Sequence, residues 1–241
     1  MNKTALAIHG GAGTILRSEM TVELETEYRA GLENALKKGF EVLQKKGSAL
    51  DAVEASVIEL ENFPLFNAGR GAVFTHEGKN EMDAAMMCGK NLQAGAVAFL
   101  KNVKNPIKLA RLVIEKTEHI LLAGDGANEF AREMNVEFET DEYFFTDFRY
   151  QQLLKAREAG VVQLDHTSGE EEEKRRRGEE ETNPESKILN PKSKFGTVGA
   201  VACDFEGNLA SATSTGGMTN KKFGRIGDTP IIGAGTYAEN E

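Results

Sequence analysis

The stretch Gly196-Thr197-Val198-Gly199-Ala200-Val201-Ala202-Cys203-Asp204 decides how this chain is read. It sets a threonine between a glycine and a run of small, strand-forming residues, and a long charged segment runs up to it. A threonine hydroxyl is a weak nucleophile and needs a base beside it. If the Gly196–Thr197 bond were cut, the freed α-amino group of Thr197 would be that base. Its ordinary pKa is about 8, close to where a general base works best. The plainer reading is that Gly-Thr-Val only starts a strand. Short motifs mislead, and on the tripeptide alone the plainer reading comes first.

Downstream of Thr197 the pattern is sheet-like. Residues 197–204 predict a strand, Phe205-Glu206-Gly207-Asn208 a turn and residues 209–213 a second strand, together a hairpin. Its register returns Thr215 and Gly216 to the side of Thr197. Upstream, residues 167–195 hold Glu170–Glu173, Lys174–Arg177, Glu179–Glu181 and two prolines, with few apolar residues. Such a segment buries too little surface to offset its ordering entropy, so it is expected to be a solvated, mobile linker. Its charges need no specific role. Its position matters more, because a flexible tether lets new chain ends separate.

The rest of the chain reads as alternating strands and helices. Residues 4–8 predict a buried strand that ends at the glycine-rich turn His9-Gly10-Gly11-Ala12-Gly13. Residues 20–46 predict a helix with an apolar face of Ala30, Leu32, Ala35, Leu36, Phe40, Val42 and Leu43, stopped by Gly47. Ser48 caps a second helix that ends before Pro64. Strands follow over 80–88 and 94–99, a helix opened by Asn105-Pro106, a strand over 120–123, and helices over 126–134 and 150–159.

At 241 residues, 40% hydrophobic and 28% charged, the chain has the composition of a globular protein with a sizeable core. A net charge of −9 argues against a nucleic-acid partner, since phosphate binding needs basic surface. No apolar run approaches the roughly 20 residues that span a bilayer, and the N-terminus lacks a signal-peptide pattern. The expectation is a soluble cytoplasmic protein without a membrane partner. Cys88 and Cys203 are expected to be small buried hydrophobes. His9, beside glycines, suggests acid–base chemistry but has no evident Ser or Cys partner, and His76, His119 and His166 are scattered and show no metal-ligand spacing.

Five segments carry a resemblance: His9–Gly13, Pro64-Leu65-Phe66-Asn67-Ala68-Gly69-Arg70-Gly71, Gly196–Val201, Ala212-Thr213-Ser214-Thr215-Gly216-Gly217-Met218, and Gly224-Arg225-Ile226-Gly227-Asp228. In these, in order and spacing, the chain resembles the plant-type asparaginases, also called isoaspartyl peptidases, of the N-terminal nucleophile hydrolases. The likeness covers the whole chain apart from the charged linker. It implies an α+β fold, the four-layer αββα sandwich, assembled as an (αβ)₂ dimer. It also implies an autoprocessing amidohydrolase that takes asparagine and β-aspartyl dipeptides. Residues 1–196 would be the α-subunit portion and 197–241 the start of the β-subunit. Family members run on for roughly another 70 to 90 residues, including a Thr-Gly-x-Gly segment for the oxyanion hole. Two rivals follow: a truncated, non-processing, inactive relative, and a glycosylasparaginase.

The resemblance also assigns roles. Thr197 is the nucleophile twice over, first against Gly196 at the cleavage site and then against substrate. Thr215 tunes its hydroxyl, and Asn67 lies near it. Arg225 takes the α-carboxylate of an aspartyl unit, for which arginine offers two parallel hydrogen bonds, and Asp228 takes the α-ammonium. Gly10, Gly11 and Gly13 read as giving close backbone approach near the active site, with Gly11 counted among the substrate-binding residues. Without the resemblance, Arg225 and Asp228 read as a surface ion pair, Asn67 as turn chemistry, and Thr215-Gly216 as a polar strand end. No catalytic cofactor is implied. A structural sodium is, held by the backbone carbonyls of Leu60, Glu61, Phe63, Phe66, Ala68 and Arg70, since carbonyl oxygens suit a hard cation.

Overall fold

A computed structural model describes residues 4–11, 20–162 and 196–240. The 167–195 linker, Ala12, Gly13 and His166 lie outside the described residues. Six strands form one mixed sheet in the order β1-β5-β6-β2-β3-β4. They are β1 (Ala5–His9), β2 (Met82–Cys88), β3 (Ala94–Leu100), β4 (Leu121–Ala123), β5 (Val198–Cys203) and β6 (Leu209–Thr215). Every pairing is antiparallel except β3 with β4. The predicted hairpin is present as β5–β6, with Val198 opposite Ser214 and Cys203 opposite Leu209. It lies inside the sheet between β1 and β2, so β5, which Thr197 directly precedes, is paired on both sides.

The helices are α1 (Val22–Gln44), α2 (Ala49–Asn62), α3 (Pro106–Lys116), α4 (Gly124–Glu133), α5 (Asp141–Phe144) and α6 (Asp147–Glu158). One continuous core joins α1 to α4 with Val198, Ala200 and Ala202 of β5, Ala210 and Ala212 of β6, and Ala84 and Met86 of β2. These are alternate strand residues, as the period of two requires for a single buried face. The other face stays open at the β1–β5 end: Ala5, Ala7 and His9 are exposed, and Val201 is 53% exposed. A sheet with helices on one face is the α+β arrangement expected.

Capping follows the sequence. Thr21 accepts from Leu24 N at 3.1 Å to open α1, and Ser48 accepts from Asp51 N at 3.1 Å to open α2. Two expectations for α1 need correction. Its buried stripe is Gly31, Ala35, Gly39 and Leu43, while Leu36 and Phe40 are 41% and 40% exposed. The cause is close helix approach: a side chain at Gly39 would collide with Ser56 and the Ala52 carbonyl of α2. Small residues at a spacing of four therefore set the contact face, and the bulkier residues turn outward. The left-handed residue after α1 is Lys46 at φ +60, not Gly47. Gly47 is required instead because a Cβ there would stand 2.5 Å from Val42 Cγ1. Cys88 and Cys203 are half-buried rather than buried. The short helix α5 has no counterpart in the sequence reading, having too few residues to show a period.

Candidate active site

Thr197 stands immediately before β5, half-buried, with Gly196 buried behind it. Extending the β5–β6 register by one step sets Thr197 opposite Thr215, and Thr215 pairs onward with Asp83 of β2. Residues opposite one another on antiparallel strands project from the same face. Thr197, Thr215 and Asp83 therefore form a row across the sheet.

The Thr197 hydroxyl lies 3.4 Å from the Thr229 hydroxyl. Two more threonines complete a hydroxyl cluster on the open face. Thr213 Oγ1 is 2.5 Å from Thr236 Oγ1, and Thr236 donates to the Thr229 carbonyl at 3.2 Å. Thr197, Thr213, Asp228, Thr229 and Thr236 line a cleft of about 430 Å³, with His9 at its edge. His9 is exposed at the end of β1.

The loop between α2 and β2 meets this row at Asn67, which is 1% exposed. Asn67 Nδ2 donates to the Gly217 carbonyl at 2.8 Å, and its Oδ1 accepts from Val73 N at 3.0 Å. Its own carbonyl accepts from Gly216 N at 3.1 Å. Asn67 thus locks the turn that follows Thr215, whose hydroxyl accepts from Gly217 N at 3.0 Å. Its side chain is engaged with that turn rather than with the Thr197 hydroxyl. Fully buried Arg149 of α6 braces the same loop, donating to the carbonyls of Gly71 at 2.9 Å and Leu65 at 3.1 Å.

Arg225 reaches the turn from the other side. Its guanidinium lies 3.6 Å from where a Cβ on Gly217 would stand and 3.1 Å from the same point on Gly227. Gly11, at φ +120, packs beside Gly196: a Cβ on it would stand at an ordinary contact distance of 3.5 Å from the Gly196 Cα. The residues singled out from sequence are therefore gathered around Gly196–Thr197 and the Gly216–Gly217 turn. Asp228 joins Thr197 in the cleft, and Asn67, Thr215 and Arg225 meet at Gly217.

Sequence reasoning missed the acid and base behind this turn. Asp83 is 1% exposed and Lys221 2% exposed. Asp83 Oδ1 accepts from Phe99 N at 3.0 Å, and its Oδ2 has no hydrogen-bond partner among the described residues. Lys221 Nζ donates to the Glu81 carbonyl at 2.8 Å. Burial pushes the Asp83 carboxyl up against the pull of Lys221, and pushes the Lys221 ammonium down against the pull of Asp83. An aspartate inside the apolar run of β2 was a visible signal, because buried carboxylates are rare without a role. Thr213 was also legible, since Ser211, Thr213 and Thr215 alternate onto one face. Thr229 and Thr236 depend on the path of the loop and left no periodic trace.

A family profile described as Asparaginase matches residues 2–241. The chain belongs to the asparaginase family. An isoaspartyl peptidase from Escherichia coli is 46% identical over 240 residues, which are all of this chain and 69% of that protein. An isoaspartyl peptidase from Salmonella typhimurium is 47% identical over 240 residues, all of this chain and 71% of the relative. An isoaspartyl peptidase/L-asparaginase from Xenopus laevis is 45% identical over 238 residues, 99% of this chain and 67% of the relative. The family resemblance drawn from five short segments thus holds along the chain. Among the described residues of this asparaginase-family chain, no cluster of three or more His, Cys, Asp or Glu could hold a metal, and no helix is long and apolar enough to cross a membrane.

Proposed function

We propose that this chain is an isoaspartyl peptidase/L-asparaginase that acts through Thr197 after cutting itself at the Gly196–Thr197 bond. The observation that carries the reading is that Thr197 and Asp228 share one cleft, while Thr215, in register with Thr197, and Arg225 meet at the adjoining Gly217 turn. In maturation the Thr197 hydroxyl attacks the Gly196 carbonyl carbon, and the acyl group moves from nitrogen to oxygen. Water then hydrolyses the ester, leaving an α-chain that ends at Gly196 and a β-chain that begins at Thr197 with a free amine. In turnover that amine takes the hydroxyl proton as the oxygen attacks the side-chain amide of the substrate. Ammonia or an amino acid leaves with a proton, and water releases aspartate from the ester. Arg225 holds the α-carboxylate, Asp228 the α-ammonium, and Thr215 orients the nucleophile. Gly11 lets the backbone come close to the scissile bond.

The wider expectations belong to the same proposal. The open face of the β1–β5 end is where a second sheet would complete the αββα sandwich. The mature enzyme would be an (αβ)₂ assembly in the cytoplasm. A structural sodium would be held by the carbonyls of Leu60, Glu61, Phe63, Phe66, Ala68 and Arg70. The loop fits it: a Cβ on Gly69 would collide with the Glu61 carbonyl, and one on Gly71 with that of Phe66. The curled loop thus keeps side chains away from carbonyls that a hard cation prefers. Its role would be to fix the loop that carries Asn67, with no part in proton transfer.

The test is the purified protein and its Thr197→Ala variant, followed by mass spectrometry and by release of ammonia from asparagine and aspartate from a β-aspartyl dipeptide. Two chains split before Thr197, with turnover of either substrate, are expected of the wild type. One uncut chain without turnover is expected of the variant. A wild type that stays uncut and inactive would favour the non-processing relative, and a variant that still splits would end the self-processing account.

A further inference from the structure

Phe99 lies one residue before the end of β3, with φ +57. A bulky side chain in this left-handed region is a genuine outlier, which persists only where the surroundings enforce it. The surroundings here are a β-bulge. The β2–β3 register slips between Met82 opposite Leu100 and Ala84 opposite Val97, so Ala98 and Phe99 together face Asp83. The Phe99 amide donates to the buried Asp83 carboxylate at 3.0 Å. Glycine would hold the same backbone without strain. The phenylalanine therefore calls for a reason, and the position of its ring supplies one.

The ring is pressed against the loop that bears Arg225. A Cβ built on Gly224 would stand 2.8 Å from Phe99 Cζ and 3.1 Å from Cε1. Gly224 is itself left-handed, at φ +68. The residue before Arg225 is thus seated on an aromatic surface, with no side chain between. Beyond it, the guanidinium lies beside Gly217 and Gly227. The base of the loop rests on Phe99, and the head of the arginine sits where two glycines leave room.

We infer that Phe99 is a positioning residue for Arg225: its ring, turned by the bulge at Asp83, seats Gly224 and so presets the arginine that receives the substrate carboxylate. The inference rests on the role given to Arg225 under Proposed function. It predicts that the ring affects substrate affinity rather than the chemical step, because Arg225 holds a carboxylate that does not react, a contact made alike before and during the attack. Ordering one long side chain in advance is worth roughly three- to tenfold in affinity.

The variant that tests this is Phe99→Gly in the full chain. Glycine suits φ +57, so the bulge and the fold are kept and the melting temperature does not fall. Two readouts are taken. The first is nicking by chymotrypsin after Phe223, which is fully exposed within the same loop. The second is the split of KM from kcat on a β-aspartyl dipeptide. Faster nicking is expected, with KM raised roughly three- to tenfold and kcat changed by less than about twofold. Phe99→Tyr, which restores a ring, is expected to restore both. Unchanged nicking overturns the inference whatever the kinetics. A fall in kcat at constant KM overturns it too, since the ring would then serve the chemical step. Faster nicking with both kinetic constants unchanged leaves the seating of the loop intact and instead removes Arg225 from the substrate site.

Discussion

The hydroxyl oxygens of Thr197 and Thr229 stand 3.4 Å apart in the lining of the cleft. Thr229 is 2% exposed, and its carbonyl is fixed by Thr236 at 3.2 Å. In the proposed mechanism, a fixed neighbour of this kind would orient the Thr197 oxygen for attack and limit its rotamers. Thr229→Val keeps the shape and removes the hydroxyl. One neutral hydrogen bond is worth about 0.5–1.5 kcal/mol, so turnover is expected to fall by roughly two- to tenfold. Thr229→Ser should recover most of it. Initial rates of ammonia release at saturating asparagine make the comparison, and an unchanged rate for Thr229→Val would show that the contact is not used.

Gly216 is the tightest point of the turn behind Thr215. A Cβ there would stand 2.5 Å from Asn67 Oδ1 and 2.8 Å from the Ala72 Cα. Neither neighbour can withdraw, because Asn67 is bonded to Val73 and Gly217. Gly216→Ala is therefore expected to destabilise the fold by about 1–3 kcal/mol through overpacking. Asn67→Ala should cost a similar amount by leaving the Gly217 carbonyl and Val73 amide without that partner. Urea denaturation of the two variants checks both figures, and the double variant should cost less than their sum, because the two changes strike one contact.

Much of this architecture is legible in the residues. The turn Phe205–Asn208 between two alternating runs gives the hairpin, and the hairpin alone brings Thr215 to Thr197. Ser48 and Pro106 mark helix starts that the structure keeps. What the chain conceals is contact between distant segments. The face of α1 was misread because Gly31 and Gly39 look like weak points in a helix, and only the neighbouring α2 makes them its contact surface. Asn67 reads as a turn residue until the Gly217 carbonyl, 150 positions away, is seen to accept from it. The same holds for Arg149, whose partners at Leu65 and Gly71 have no local signature.

Asp204 ties the β5–β6 hairpin to helix α2. Its carboxylate accepts from Glu206 N at 3.0 Å, Asn208 N at 2.9 Å and, across the fold, Ala49 N at 3.2 Å. Burial raises its pKa, but the bonds from Asn208, Ala49 and Glu206 outweigh burial and hold it below the ordinary value. A depressed carboxyl contributes stability that is present above its unfolded pKa and lost as pH falls through the folded one. Asp204→Ala is expected to cost about 1–3 kcal/mol at neutral pH. The gap from wild type should narrow below about pH 4. Denaturation midpoints at pH 7 and pH 3 measure this, and a gap that stays constant would mean the carboxylate charge is not what holds the hairpin.

Glu61 behaves in the opposite sense. It is wholly buried on α2, where Oε1 accepts from Ser214 Oγ at 2.7 Å and from Ile107 N at 3.0 Å. Its Oε2 has no partner among the described residues. Burial pushes its pKa to about 8, against the bonds from Ser214 and Ile107. A carboxyl raised in the folded state binds its proton more tightly there than in the unfolded chain. The stability it contributes is therefore full below the unfolded pKa, near 4.3, and is lost as pH rises through the folded value. Wild-type stability should decline between about pH 5 and pH 8, by an amount on the order of a few kcal/mol. Glu61→Gln keeps the acceptor for Ser214 and Ile107 and cannot ionise. It should flatten that decline and exceed the wild type in stability at pH 8.5, while matching it near pH 5. Parallel pH–stability curves for the two proteins would show that Glu61 stays charged in the fold, and that its charge is balanced by a partner still to be found.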